Sequence, residues 1–138
     1  MTHTARVTVT TKGQGDAHDL SAHVAAAVRA SRQRAGVATI FVVGSTAVLT
    51  TIEFEPGAIA DLNTLLERLT PRAAEYRHHE RWGDDNGSSH VRAALMGPSI
   101  AVPFVDGDLV LGQWQQIMLL ECDTRARTRE VVVQIVGD

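Results

Sequence analysis

The first third of the chain has the pattern of a strand followed by an amphipathic helix. Residues 3–11 are rich in threonine and valine, which is the composition of a β-strand. After a turn at residues 12–15, apolar residues recur every four positions and predict a helix with one apolar stripe (Leu20, Val24 and Val28). Asp19 is the predicted cap of this helix and Gly36 its predicted end.

Two apolar runs follow, separated by a short break. Residues 37–43 are almost continuously apolar, which predicts a well-buried strand, and residues 47–54 resume the strand pattern. The break, Gly44-Ser45-Thr46, allows either a hairpin or one long strand with a bulge at Gly44. The pattern leaves both arrangements open.

The clearest helix begins near Pro56, a residue suited to the first helical turn. Its apolar positions follow at helical spacing: Ile59, Leu62, Leu66 and Leu69. Pro71 stops the run, and the leucine stripe is predicted to face the core.

The stretch Tyr76–His90 is too polar and too irregular to be a core element. It holds three of the six histidines and the pair Asp84-Asp85. Long loops that persist in compact domains are often functional, so this stretch is the candidate site. Ser88 or Ser89 is expected to cap a short helix that ends at Met96.

The last third is predicted to be mainly strands. Four are expected, at residues 99–104, 109–111, 114–121 and 129–136, with a hairpin turn at Asp106-Gly107. Strands that cluster after helices with short connections favour a single α+β domain over residues 1–138. We expect mainly antiparallel β-sheet layers with about two main helices and one short helix.

Composition narrows the possible partners. Thirteen basic and sixteen acidic residues give a net charge of -3 without a basic stripe, which argues against nucleic-acid binding. No apolar run approaches about 18 residues, so no membrane segment is expected and a cytoplasmic protein is the default. The lone Cys122 excludes an internal disulfide and, within an apolar run, is predicted to be a buried strand thiol.

The polar stretch carries the first candidate chemistry. His78 and His90 flank Asp84 and Asp85, and all four are residue types that bind divalent metals. Asp-Asp-Asn-Gly is also ordinary turn chemistry, in which these side chains bond to the backbone. Both a metal or catalytic role and a hydrogen-bonded turn are compatible with the pattern.

An anion site is a second possibility at the start of the short helix. His90 lies in its first turn, where free backbone N–H groups and the helix dipole favour negative charge. Arg92 follows two residues later, and Ser88 and Ser89 offer hydroxyl groups. Simple capping by a serine accounts for those hydroxyls equally well.

Three other groups are weaker candidates. Gln115 and Gln113 share a strand face beside Trp114, where an amide pair can hold a polar ligand or face solvent. Glu53 follows a serine and a threonine, Ser45 and Thr46, which lack a placed histidine partner. A charged segment before the last strand is either a solvated face or contains an arginine that clamps an anion; its members are Glu121, Asp123, Arg125, Arg127 and Arg129.

Taken in order, these fragments resemble the YjbQ-like family, the secondary thiamine-phosphate synthases. The resemblance covers nearly the whole chain and is carried by many short matches. They are Thr46-Ala47, Glu53, Pro56, Asp61-Leu62, Tyr76, His78, Asp84-Asp85-Asn86, Ser89-His90, Leu95-Met96-Gly97-Pro98-Ser99, Pro103, Gly107, Leu111-Gly112, Trp114-Gln115 and Glu121.

The resemblance implies an α+β fold assembled as a homotrimer, with a polar pocket that takes a small phosphorylated metabolite. It also implies a weak transferase activity that joins hydroxymethylpyrimidine diphosphate to a thiazole phosphate. The catalytic candidates are then His90, His78, Asp85 and Glu53. The substrate-binding candidates are Asn86, Ser89, Arg92, Trp114, Gln115 and Arg127. His78, Asp84 and His90 are the candidate ligands of a divalent metal, Mg or Zn.

The chain departs from the family pattern at several places. Gly44 stands where the family usually has a histidine, and Ile52 stands where it has an asparagine. Gln113 replaces a threonine, and the turn at residues 123–127 carries one inserted residue. The changes at Gly44, Ile52 and Gln113 motivate one alternative, a non-catalytic phosphate- or metabolite-binding trimer. A metal-dependent hydrolase that uses the same pocket is a third possibility. If the pocket lies between subunits, Trp114 or Glu53 of one copy would meet His90 of another.

Overall fold

Two antiparallel β-sheets of unequal size form the framework of the protein. The computed structural model describes all 138 residues. The strands are β1 Thr2–Thr10, β2 Ala17–Asp19, β3 Ala35–Val43, β4 Ala47–Ile52, β5 Ser99–Val105, β6 Asp108–Leu109, β7 Gln116–Glu121 and β8 Thr128–Gly137. The helices are α1 Ser21–Ser31, α2 Pro56–Leu69, α3 Arg77–Trp82 and α4 Gly87–Met96.

The five-stranded sheet has the order β1-β8-β3-β5-β6, and the three-stranded sheet has the order β2-β7-β4. Apolar and polar side chains alternate along the strands, and this alternation decides which face of the large sheet is buried. In β3, Ala38, Ile40 and Val42 are buried while the residues between them are exposed. In β8 the buried series begins at Arg129 and continues through Val131 to Ile135.

Two hydrophobic clusters lie on opposite faces of the small sheet. The larger joins the inward side chains of both sheets with the apolar stripe of α1. The smaller lies between the small sheet and the helices α2 and α4. Strand β7 is therefore buried on both faces: Ile117 and Leu119 enter the first cluster, and Met118 and Leu120 enter the second. Cys122 is buried in the second cluster, which confirms that the thiol is buried, although the residue follows the end of β7 and is not part of the strand.

Most predicted elements are present. The Pro56 helix runs to Leu69 and is capped by Glu55, whose carboxylate accepts from the backbone N–H groups of Gly57 and Ala58. The Asp106-Gly107 hairpin is also confirmed, because β5 and β6 pair across it and both turn residues have positive φ. None of the helices is long and apolar enough to cross a membrane.

Several boundaries were wrong. Helix α1 ends at Ser31, followed by Arg32 in the left-handed conformation, so Gly36 lies inside β3. Neither arrangement proposed for the Gly44-Ser45-Thr46 break is correct, because β3 and β4 belong to different sheets. The break carries the chain from the large sheet to the small one.

The polar stretch is not a loop throughout. Residues Arg77–Trp82 form α3, and α4 begins at Gly87, so Ser88 and Ser89 lie within its first turn. Neither serine caps the helix through its side chain. Strand β2 was not predicted, and β7 begins at Gln116, two residues after Trp114.

Candidate functional site

Two histidine rings from successive helices face one another at the centre of the polar stretch. The ring centroids of His78 on α3 and His90 on α4 are 4.5 Å apart, with the rings inclined by 39°. Nδ1 of His78 lies 3.0 Å from Oδ1 of Asp84, in the connection between the helices. With Nδ1 protonated and donating to Asp84, Nε2 of the neutral ring is left as an acceptor. Three of the predicted site residues are thus brought together.

Helix α3 is held in place by its contact with the first turn of α4. The backbone N–H of Gly87 donates to Nε2 of His79 over 2.9 Å, which satisfies one of the free N–H groups at the helix start. The rings of His79 and Tyr76 meet edge to face at 5.4 Å. A Cβ atom on Gly87 would lie 2.5 Å from Cβ of Tyr76, so only glycine permits this docking. His79 therefore positions the helix that carries His78.

A chain of hydrogen bonds leads from the polar stretch to the buried carboxylate of Asp123. Oγ1 of Thr124 donates to Asp85 over 3.0 Å, and the backbone N–H of Thr124 donates to Asp123 over 2.7 Å. Asp123 also accepts from Oγ1 of Thr46 and from Nε of Arg127. Burial raises the pKa of Asp123, but these hydrogen bonds and the Arg127 charge outweigh it and leave the pKa below its usual value. Asp123 is therefore a fixed negative charge.

Arg129 and Glu121 form a buried ion pair beside Asp123. Nε and Nη2 of Arg129 donate to the two oxygens of Glu121 over 2.8 and 2.5 Å. Nη2 also donates to Oγ1 of Thr46 over 2.7 Å. Glu121 accepts further bonds from Thr11 and from the backbone N–H of Asp123, which completes the network.

A cavity of about 330 Å³ lies between the β3–β4 break and α4. His90 is its only titratable lining residue; the others are Gly44, Ser45, Ala47, Ala93, Ala94 and Pro98. Partial burial, reinforced by the neighbouring His78, lowers the pKa of His90 despite the opposing charges of Asp123 and Asp84. At neutral pH, His90 therefore presents a neutral ring that can donate or accept one hydrogen bond.

The other predicted residues of the polar stretch have varied surroundings. Asn86 and Ser89 are buried, and neither Oδ1 of Asn86 nor Oγ of Ser89 has a partner in the chain. Oγ of Ser88 is also buried and unpaired. Arg92 points elsewhere: its side chain donates to Thr70 and Glu67 at the end of α2 and makes no hydrogen bond to the histidine pair. Its guanidinium links α4 to α2.

The remaining candidates lie at the other end of the small sheet. β4 and β7 pair from Ala47 opposite Glu121 to Ile52 opposite Gln116. Glu53 and Gln115 lie next to the Ile52 end of this pair of strands. Glu53 is exposed, and the side chain of Gln115 donates to Thr51 over 3.1 Å. Trp114 is 67% exposed beside Gln115. At about 3.3 Å per residue the two ends of β4 are separated by about 17 Å. One chain therefore does not bring Glu53, Trp114 and Gln115 to His90.

The side chains do not form a ready-made metal centre. No three of the histidine, cysteine, aspartate and glutamate side chains are grouped so that they could hold a metal ion. The predicted ligands His78 and Asp84 instead bond to each other. The divalent metal stays a prediction, and no chemical step below depends on it.

The sequence places Glu121 and Arg129 in a segment that is either a solvated face or an anion clamp, and does not predict that they form a buried ion pair. It also does not single out His79. Arg129 carried a usable signal, because it has the same strand parity as Val131 and Val133 and must therefore point inward. Glu121 continues the apolar run of β7, where a charge requires a buried partner. The role of His79 depends on the docking of α3 and has no comparable local signal.

Comparison with known proteins gives a consistent result. The model of the family described as UPF0047 protein YjbQ-like matches residues 5–138. A UPF0047 protein of Archaeoglobus fulgidus is 36% identical over 106 residues, covering 77% of this chain and 82% of the relative. A UPF0047 protein of Synechocystis is 31% identical over 137 residues, covering 99% of this chain and 92% of the relative.

Solved structures agree with the sequence relatives. A YbjQ-like protein of unknown function from Sulfolobus solfataricus superposes with a TM-score of 0.93 at 29% identity, covering 100% of this chain and 99% of that one. A hypothetical protein from Aeropyrum pernix superposes with a TM-score of 0.89 at 28% identity, covering 99% of both chains. The α+β fold expected from the sequence is confirmed. The chain belongs to the YjbQ-like UPF0047 family.

Proposed function

We propose that the protein binds a small phosphorylated metabolite beside His90 and acts as a weak thiamine-phosphate synthase-type transferase. The observation that carries the proposal is the cavity beside His90, whose ring is neutral at pH 7 and whose opposite wall includes Gly44 and Ser45 of the β3–β4 break. The identity of the reaction comes from the resemblance of the sequence to the secondary thiamine-phosphate synthases. The cavity volume, about 330 Å³, lies within the range of small-molecule sites.

The reaction is a substitution at the methylene carbon of hydroxymethylpyrimidine diphosphate. The thiazole nitrogen supplies the electron pair for the new C–N bond, and the C–O bond to the diphosphate breaks. Negative charge develops on the departing diphosphate, so donors that are already in place lower the barrier. A neutral His90 can donate one hydrogen bond to that group, and His78, held by Asp84, keeps the His90 ring in position.

We further propose a homotrimer whose sites lie between copies. The outer face of the large sheet exposes apolar side chains on its central strand, including Phe41, which is 43% exposed, and Val43, which is 50% exposed. Exposed apolar patches of this kind mark association surfaces. Glu53, Trp114 and Gln115 lie at the end of the small sheet remote from His90, so a second copy could bring them to the cavity.

The test is thiamine phosphate formation from the two phosphorylated precursors by the wild type, His90→Ala and His23→Ala. His23 is an exposed histidine of α1 outside the cavity and serves as the control. We expect product from the wild type and the control and a loss of about a hundredfold or more with His90→Ala. Equal product from all three proteins would place the chemistry elsewhere.

No product from any of the three would overturn the transferase proposal and leave the binding-only alternative. That alternative predicts a rise in melting temperature with thiazole phosphate or pyrophosphate. Absence of a shift with either compound would contradict binding as well.

A further inference from the structure

The guanidinium of Arg129 has one nitrogen that the protein does not use. Nε and Nη2 are bonded to Glu121 and Thr46, whereas Nη1 makes no hydrogen bond within the chain. Only 6% of the residue is exposed, but Nη1 itself is not fully buried, so solvent reaches it. A buried, immobilised arginine thus offers two unused N–H donors at one atom.

The backbone of Gly44 lies next to Nη1 of Arg129 and leaves this nitrogen accessible. A Cβ atom built on Gly44 would lie 2.8 Å from Nη1, which places Nη1 directly beside the glycine backbone. Gly44 lines the cavity that contains His90. Its φ of 144° lies where L side chains are strained, so both the backbone and the space require glycine. A side chain at this position would cover Nη1.

The backbone next to Gly44 adds further unused donors. The N–H groups of Gly44, Ser45 and Thr46 donate to no carbonyl in the chain, because the break between β3 and β4 belongs to neither sheet ladder. Backbone N–H groups without partners are usually satisfied by water or by a ligand. Successive free N–H groups beside an arginine are a common arrangement for binding phosphate oxygens.

We propose that Arg129 and the free N–H groups of residues 44–46 form an oxyanion cradle in the His90 cavity, which binds a phosphate group of the ligand. This inference deepens the proposed function, on which its choice of a phosphorylated ligand rests. Glu121 fixes the guanidinium through Nε and Nη2, so Nη1 is held in position before the ligand arrives. Gly44 is a specificity residue of this chain: where the family usually has a histidine, the missing side chain leaves Nη1 open to the phosphate.

The experiment measures pyrophosphate binding by calorimetry with the wild type, Gly44→Ala and Gly13→Ala. Gly13 also has a strained φ, 128°, but an added Cβ atom would make only ordinary contacts, the nearest 3.6 Å away at Arg125. The Gly13 variant therefore controls for backbone strain. Urea unfolding checks that both variants fold.

We expect Gly44→Ala to weaken pyrophosphate binding at least about tenfold, the loss of one charge-assisted hydrogen bond, and Gly13→Ala to leave it unchanged. Inorganic phosphate is expected to compete with pyrophosphate. The cradle would be overturned if both variants bound pyrophosphate equally weakly, or if Gly44→Ala bound it as well as the wild type. It would also be overturned if the wild type bound neither anion at millimolar concentration.

The transferase assay separates this inference from the proposed function. Binding that depends on Gly44 without thiamine phosphate formation supports the cradle and rejects the transferase. Product formation with unaltered binding and KM in Gly44→Ala supports the transferase and rejects the cradle.

Discussion

The guanidinium of Arg129 and the carboxylate of Glu121 are joined by two hydrogen bonds in the interior, one to each carboxylate oxygen. They link β8 of the large sheet to β7 of the small sheet, and the Glu121 side chain is fully buried. Removing one member of a buried pair leaves an uncompensated charge, which is more damaging than losing the attraction alone.

Arg129→Met is therefore expected to lower the free energy of unfolding by about 3–5 kcal/mol. Arg6→Met is the matched control. Arg6 lies on β1 and pairs with Glu130, the neighbour of Arg129 on β8, but this ion pair is exposed to solvent. That control is expected to cost less than about 1 kcal/mol. Urea unfolding of both variants measures the difference, and equal losses would contradict the buried pair's role.

The pKa of His90 is expected to lie below its ordinary value of about 6.5. Partial burial is the main cause and the adjacent His78 the second, so His78→Gln should raise the pKa of His90. Since the unfolded chain binds this proton more readily, His90 costs stability as pH falls below about 6.5 and costs nothing well above it. Histidine NMR titrations of both proteins test this, and an unchanged pKa in the variant would refute the coupling.

Asp123 should contribute to stability in the opposite pH direction. Its pKa in the folded protein is lowered, so its contribution is present above the unfolded value of about 3.9 and is lost as pH falls through the folded value. Asp123→Asn should destabilise the protein at pH 7 and flatten the pH dependence of stability below pH 4. Acid unfolding curves provide the measurement. If the stability of the variant depended on pH below pH 4 as steeply as that of the wild type, the lowered pKa of Asp123 would be contradicted.

Assembly should depend on the outer face of β3. Phe41→Glu places a charge in the exposed apolar patch and is expected to convert the proposed trimer to monomer. His23→Glu places the same charge on the exposed side of α1, which packs against the buried face of the large sheet, and should leave assembly intact. Sedimentation velocity distinguishes the two states. A monomeric wild type would remove the basis for sites shared between copies.

The thiol of Cys122 should be unreactive in the folded protein. Burial raises its pKa to about 12, so almost none of the reactive thiolate is present near pH 8. A colorimetric thiol reagent should titrate one thiol only after the protein is unfolded in urea. Rapid reaction without denaturant would show that the second hydrophobic cluster opens readily.

Local pattern predicted the helices and most strands because burial follows the periods of 3.6 and 2 residues. The spacing of Ile59 and Leu66 and the alternation of β8 are examples. It did not predict which sheet each strand joins: the change of sheet at Gly44–Thr46 depends on partners far away in the chain. The histidine pair was found by residue type, whereas the cavity beside it depends on the packing of the β3–β4 break against α4, two segments that are far apart in the chain.

The place of β8 between β1 and β3 has a consequence for biosynthesis. β8 follows the other seven strands in the chain and is synthesised after them, yet it joins β1 to the rest of the large sheet. Until it emerges from the ribosome, β1 and β3 each present an unpaired edge, and Arg129 is not available to compensate Glu121. Nascent chains of this protein therefore face a period of exposed strand edges, the condition under which chaperones engage growing polypeptides.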